Sequence, residues 1–320
     1  MNINSVTKTQ PYRDIYSFCR YFLQHFGKEQ LKNSEVLAEA FRDYFGIRGN
    51  PRLSDLINLA RGPLGISNIS TDTLPPGLHG MFSKLSDKID VIYKRDDWDG
   101  TQEFTIAHEL REIIGVIFEG IDPLFKDVEE EELENEADAF AAALLMEKEQ
   151  FLVEVLNSGF DPIFLHEKFH KSYIAVISRM AGVLRQQSPP LHFWGSVLEK
   201  EEKAPAGFFT AKCFHRSPSY VPKVRYMVPN FFFPKRGQLV PLHGSLQIAF
   251  ATRRPVFVIK LSGLDFWNIY CLSVIIRPVI WSSNVEKLII IALPFDKRNM
   301  LRKQISLCDP ILIDDIFQRI

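Results

Sequence analysis

Residues 104–118, FTIAHELREIIGVIF, constrain the fold more than any other stretch of this chain. Ile106, Leu110, Ile113, Ile114 and Ile117 recur at the spacing of a single helix face. Such a stripe has to be buried against other elements. On the same helix His108 and Glu112 fall together on the other side, roughly 40° apart at about 100° per residue. Glu109 lies on their flank. The helix therefore buries its isoleucines and turns three ionisable groups toward a cleft.

An i, i+4 pair places two ligands one turn apart, close enough to share a metal ion. A carboxylate beside the first ligand can take a proton from water there. A third ligand has to come from another element. The next helical stretch, about 129–149, contains EEEELENEADAFAAALL, with Leu133, Ala137, Phe140 and Leu144 on its inner face. Glu136 lies at the edge of that face, one turn before Phe140, and Glu129 is a weaker alternative near the helix start. Read alone, HELRE also fits an ordinary solvated His/Glu pair, and the acidic run fits a solvated helix N-terminus.

A second motif, HEKFH at residues 166–170, matches the zinc-peptidase signature HExxH in full. Its surroundings argue against it. Leu165 and Phe169 form the apolar pair of a short helix, and His170-Lys171-Ser172 reads as a turn with Ser172 capping the next helix. His170 then lies at a helix end, where a one-turn pair with His166 is not assured. No acidic helix follows, because Glu199, Glu201 and Glu202 sit in a charged run.

The 320 residues are 46% hydrophobic and 24% charged, an ordinary globular composition with room for two domains. Cys19, Cys213, Cys271 and Cys308 form no CxxC pair and read as reduced thiols of a cytoplasmic protein. No signal peptide or membrane span is expected. The net charge of −1 hides a split. Residues 203–264 hold ten Lys/Arg and no Asp or Glu, which leaves about −11 on the remainder. Within them AKCFHRSPSYVPKVRYMVPNFFFPKRG interleaves cations with aromatics. That pattern suits nucleic acid or a nucleotide. It is better read as strands with aromatics in a core and cations in solvent. His192, His215 and His243 have no metal-like spacing. Residues 12–46 show helical spacing without chemistry. LSDLINLARG (residues 53–62) reads as a short helix capped by Ser54, and GISNIS and IDVIYK read as strands around the loop TDTLPPGLHG.

FTIAHEL followed by ENEADAFAAALLM resembles the ImmA/IrrE family of metallopeptidases, whose pattern is FTxAHExxH and then ExEAxxFAAxLLMP. The likeness spans roughly residues 53–150, with both blocks in order and at matching spacing. The resemblance implies His108 as metal ligand, Glu109 as general base and Glu136 as distal ligand. Glu112 replaces the usual second His, and Glu147 stands where Pro often follows LLM. One imidazole with two carboxylates cancels the charge of a divalent ion, where two imidazoles with one carboxylate leave +1. Zinc is expected first; the harder ligand set, with its less acidic water, shifts preference toward manganese or iron, which are the alternatives.

The expected fold class is thus α+β, with four parts. Residues 1–50 form a helical extension, 51–150 a zincin-like metallopeptidase domain with a small sheet, 151–188 a helix-turn-helix-like segment, and 189–320 a β-rich mixed, GAF-like sensor domain. The expected activity is endoproteolysis of a protein partner, by resemblance a DNA-binding transcriptional repressor cleaved in stress or mobile-element induction. IDVIYK is expected to receive the substrate backbone as an added strand. The alternative is a non-catalytic regulator whose site has lost its metal through Glu112 and which binds DNA or a protein.

Overall fold

A computed structural model describes residues 14–75, 77–85, 88–121, 130–201, 203–217, 234–264 and 269–318. The chain divides into two units, Met1–Glu147 and Lys148–Ile320, and its architecture is mixed α+β. The first unit begins with helices α1 (Ile15–Phe26), α2 (Ser34–Phe45) and α3 (Leu53–Arg61). Strands β1 (Asn68–Asp72), β2 (Gly80–Leu85) and β3 (Lys88–Lys94) follow, then the long α4 (Asp99–Ile121) and α5 (Glu130–Leu145).

Local chemistry sets the helix ends. Asp14 caps α1 by accepting from the Ser17 amide at 2.6 Å, and Asn33 caps α2 through Val36 at 3.3 Å. Ser54, expected to cap α3, lies inside its first turn instead. The Asp55 carboxylate accepts from the Arg52 amide at 2.9 Å and closes that end. The isoleucine stripe of α4 is buried as the periodicity requires. It shares one core with Phe18 and Phe22 of α1, Phe41 of α2, Ile89 and Val91 of β3, and Phe140 and Leu144 of α5. The rings of Phe41 and Phe140 meet edge-on at 5.8 Å. Arg42 donates to the carbonyls of Leu144 (2.5 Å) and Gly49 (2.6 Å), satisfying the last turn of α5. The N-terminal helices, from residue 14 onward, are therefore part of the same core as the expected metallopeptidase elements.

The three-stranded sheet has the order β1–β3–β2, with β1 parallel and β2 antiparallel to β3. This corrects one expectation. IDVIYK lies in β3, the central strand, paired on both sides, so it has no free edge for a substrate. Among the described residues the open edges belong to β1 and β2. Lys94 donates to the His79 carbonyl at 2.8 Å, and Gly80 sits opposite Tyr93. Antiparallel pairs alternate between bonded and non-bonded, so Gly80, Phe82 and Lys84 turn their amides and carbonyls outward from β2.

The second unit runs through α6 (Lys148–Ser158), α7 (Pro162–Phe169), α8 (Tyr173–Arg185), β4 (Phe193–Glu199), β5 (Phe208–Ser217), β6 (Leu239–Pro241), α9 (Gly244–Thr252), β7 (Val256–Leu264), β8 (Ile269–Trp281), β9 (Asn284–Pro294), α10 (Arg302–Cys308) and β10 (Ile311–Gln318). Its seven strands have the order β10–β7–β8–β9–β4–β5–β6, antiparallel throughout except for β10 beside β7. Helix α8 packs on β4 and β5, so closely that a Cβ at Gly195 would lie 2.6 Å from Ile177 Cγ2. Helix α9 packs against β7, β8 and β9. Asp161 caps α7 through the Ile163 and Phe164 amides and also accepts from Arg277 of β8 at 3.0 Å. Fully buried Gln304 completes this group, accepting from Arg277 and donating to the Gly159 carbonyl, each at 3.1 Å.

In the basic stretch, residues 218–233 lie outside the described residues. Elsewhere Phe209 is in the core of the second unit, Lys212 pairs with Glu201, and Arg254 pairs with Asp309 at 3.3 Å. All four cysteines are free thiols. Among the described residues no helix is long and apolar enough to cross a membrane.

Candidate metal centre

Helix α4 holds His108 and Glu112 one turn apart, with His108 Nε2 3.7 Å from Glu112 Oε1. Helix α5 runs beside it and brings Glu134 Oε2 to 3.6 Å from the same nitrogen. One ligand atom from each of His108, Glu112 and Glu134 lies within 4.8 Å of the others. Among the described residues this is the one group of His, Cys, Asp and Glu so arranged.

The other imidazole nitrogen is also engaged. Asp138 Oδ1 lies 3.0 Å from His108 Nδ1. When the ring is neutral, this bond keeps the proton on Nδ1 and leaves the Nε2 lone pair facing Glu112 and Glu134. Glu134 and Asp138 are themselves an i, i+4 pair, so one face of α5 supplies both a candidate ligand and the group that orients the His108 ring. In the chain without a cation, burial disfavours the imidazolium. The hydrogen bonds and charges of Asp138 and Glu112 outweigh it and raise the His108 pKa to about 10.

Glu109 is only 5% exposed, and its Oε2 is buried without a hydrogen-bond partner. Burial first, and then the charge of Glu112, raise its pKa to about 8, against the pull of His108. Strand β2 passes directly over this carboxylate. A Cβ at Gly80 would overlap Thr105 Cγ2 and come within 3.0 Å of Glu109 Oε1.

His108, Glu109 and Glu112 thus come together as the helical spacing predicts, and Glu136 does not join them. Its carboxylate forms an ion pair with Arg111, and both side chains are largely buried. The reason is angular. Glu136 lies two residues, roughly 200°, from both Glu134 and Asp138, so it leaves α5 at the opposite edge. The signal for Glu134 was present as the pairing of Glu134 with Asp138. Arg111, directly before Glu112, was the competing partner that removes Glu136. Glu129 lies outside the described residues.

At HEKFH the helix α7 ends at Phe169, and His170 adopts a left-handed backbone conformation at its C-cap (φ 56°). His166 Nδ1 lies 2.6 Å from the Lys171 carbonyl, and its ring stacks on Tyr173. Ser172 caps α8 through the Ala175 amide at 3.2 Å.

The donor set fits a divalent cation. It offers one imidazole with its second nitrogen already anchored, two carboxylates, and beside them a buried carboxylate oxygen with no partner. Fold and site together describe a metallopeptidase-like helix-and-sheet domain. Residues 79–180 match the family model of the IrrE N-terminal-like peptidase domain. The match runs past the end of the first unit into α6, α7 and α8. Among solved structures, a Mycobacterium tuberculosis transcriptional regulator has a similar fold, with a TM-score of 0.57 at 15% identity over 91% of this chain and 84% of that one. No curated protein matches the chain.

Proposed function

We propose that the protein is a metal-dependent endopeptidase that cleaves a protein partner, with zinc as first choice of metal and manganese or iron as alternatives. The observation that carries this reading is the approach of His108, Glu112 and Glu134 beside the orphaned buried oxygen of Glu109. His108 Nε2, Glu112 and Glu134 would hold the cation, with Asp138 orienting the imidazole. A cation there would supply Lewis acidity to a peptide carbonyl and to the attacking water. Glu109 accepts the proton from that water and returns it to the leaving amine. The nearby positive charge favours its carboxylate form over the protonated form that burial imposes. The substrate backbone pairs with the outer edge of β2, at Gly80, Phe82 and Lys84, which brings the scissile bond over Glu109.

The substrate is a DNA-binding transcriptional repressor cleaved in the cytoplasm during a stress or mobile-element response. In this reading residues 51–150 carry a zincin-like site, 151–188 a helix-turn-helix-like segment, and 189–320 a GAF-like sensing region. A second reading, a regulator without catalysis that binds DNA or a protein, is favoured by Glu112, because two carboxylates weaken the acidity of the centre. Nucleic-acid contact through the basic stretch 203–264 belongs to that reading.

The test is co-expression with repressor-like proteins and analysis of their fragments, together with the metal content of the purified chain. Fragments that depend on metal and on Glu109 support the peptidase. A chain that purifies without metal and yields no fragments points to the regulator.

A further inference from the structure

The buried pair of Arg111 and Glu136 takes no part in the chemistry above, yet it lies on the two helices that build the site. Helix α5 packs on both α4 and α2, with Ala137, Phe140, Ala141 and Leu144 on its buried face. At one edge of that face Glu134 and Asp138 reach His108. At the other edge Glu136 reaches Arg111, one residue before the proposed ligand Glu112. Arg111 has few other holds. It makes a 3.5 Å contact to the Leu31 carbonyl, and its Nε is buried without a partner. The Glu136 carbonyl accepts from Ser34 Oγ of α2 at 3.0 Å, which fixes the same turn of α5 from a third side.

Apolar burial is non-directional, so by itself it fixes the rotation of a helix less sharply than an ion pair at the edge of its buried face does. A roll of α5 in either direction separates one edge from α4. From this we infer that Arg111 and Glu136 are positioning residues. Their ion pair sets the rotation of α5, and that rotation decides whether Glu134 and Asp138 face His108. The inference rests on the metal-site reading above, and it assigns Glu136 a role distinct from ligation.

The experiment uses the full chain and its Arg111→Met, Arg111→Lys and Glu136→Gln variants. Zn²⁺ affinity is measured by competition with a chromophoric chelator, at a temperature where circular dichroism shows each variant folded. The His108 Nδ1 proton is followed by ¹⁵N-edited NMR in metal-free protein. Arg111→Met and Glu136→Gln should both lower affinity, on the order of tenfold or more, as loss of an orienting partner does. Both should also broaden the Nδ1 signal that Asp138 protects, and Arg111→Lys should recover part of each effect. If Glu136→Gln loses Zn²⁺ while Arg111→Met retains it, Glu136 is a ligand and the inference is overturned. Folded variants with unchanged affinity and an intact Nδ1 signal overturn it as well. Should a single variant fail to fold, Arg111→Met with Glu136→Leu leaves no buried charge unpaired, and the same two readouts apply to it. A wild-type chain that binds none of Zn²⁺, Mn²⁺ and Fe²⁺ sinks the metal-site reading, and the Nδ1 signal then decides the inference by itself.

Discussion

At Glu109 the burial that isolates a carboxylate also makes it basic. Glu109→Gln keeps the shape and removes the proton acceptor. Metal content should stay at the wild-type level while cleavage falls by about 10²–10⁴-fold, measured side by side on the same preparation. Equal cleavage by the variant would remove Glu109 from the mechanism. A second expectation concerns pH. Folding raises Glu109 from its ordinary 4.5 to about 8, and His108 from 6.5 to about 10. In both cases the native chain retains protons that the unfolded chain has released. The linkage therefore has one sign, and stability falls as pH rises. The Glu109 contribution is lost between about 4.5 and 8, and that of His108 between about 6.5 and 10. Metal-free protein should melt at progressively lower temperature across that range, and His108→Gln should flatten the upper part of the curve. A melting temperature that climbs with pH in both proteins would contradict the cluster.

At the scale of the element, helices were legible where periodicity and caps agreed. The α4 stripe, the break between α7 and α8, and the Ser172 cap all followed from side-chain spacing and turn chemistry. Strand β2 was not legible. It alternates only weakly, its exposed positions include Met81 and Leu85, and half of its hydrogen-bonding edge is unpaired. The misplacement of Glu136 has a related cause. A helical wheel gives the angle of a side chain and not the charge waiting opposite, and Arg111 determined the outcome. Gly80 tests the close approach of β2 to α4. In Gly80→Ala the new methyl meets Thr105 and crowds Glu109. The variant should lose about 1–3 kcal/mol of stability, as overpacked sites do. Cleavage should fall further than the melting shift accounts for, because the displaced group is the proposed base. Denaturant titration paired with a cleavage assay checks both, and wild-type behaviour in each would mean that β2 yields freely.

At the scale of the whole molecule, the chain distributes its buried charge unevenly. The first unit concentrates it at the α4–α5 pair. In the second unit Asp161, Arg277 and Gln304 join the start of α7, the middle of β8 and the helix α10. No motif announces this group, because Asp161 lies more than a hundred residues from both Arg277 and Gln304. Sequence showed only that the second unit would be rich in strands. Asp161→Ala removes the α7 cap and strands the Arg277 charge. It should destabilise the chain by about 3–5 kcal/mol, as breaking a buried ion pair does. Asp161→Asn keeps the cap and should cost less. Urea unfolding of the two variants checks the order. Metal content should be untouched in either, since the site lies in the other unit.

The outward-turned amides and carbonyls of Gly80, Phe82 and Lys84 carry a further consequence for any protein cut here. A strand edge can receive only chain that is itself extended, with its own backbone groups unspent. A helical or sheet-bound segment has none to offer. Cleavage would then be gated by the partner, since its target segment has to melt locally before it can be received. Such opening has its own free energy, and when reclosing outpaces cutting, the rate follows the population of the open form. A repressor weakened at that segment would be cut faster by an unchanged enzyme, so part of the apparent stress sensitivity of such a system would reside in the fraying of its victim.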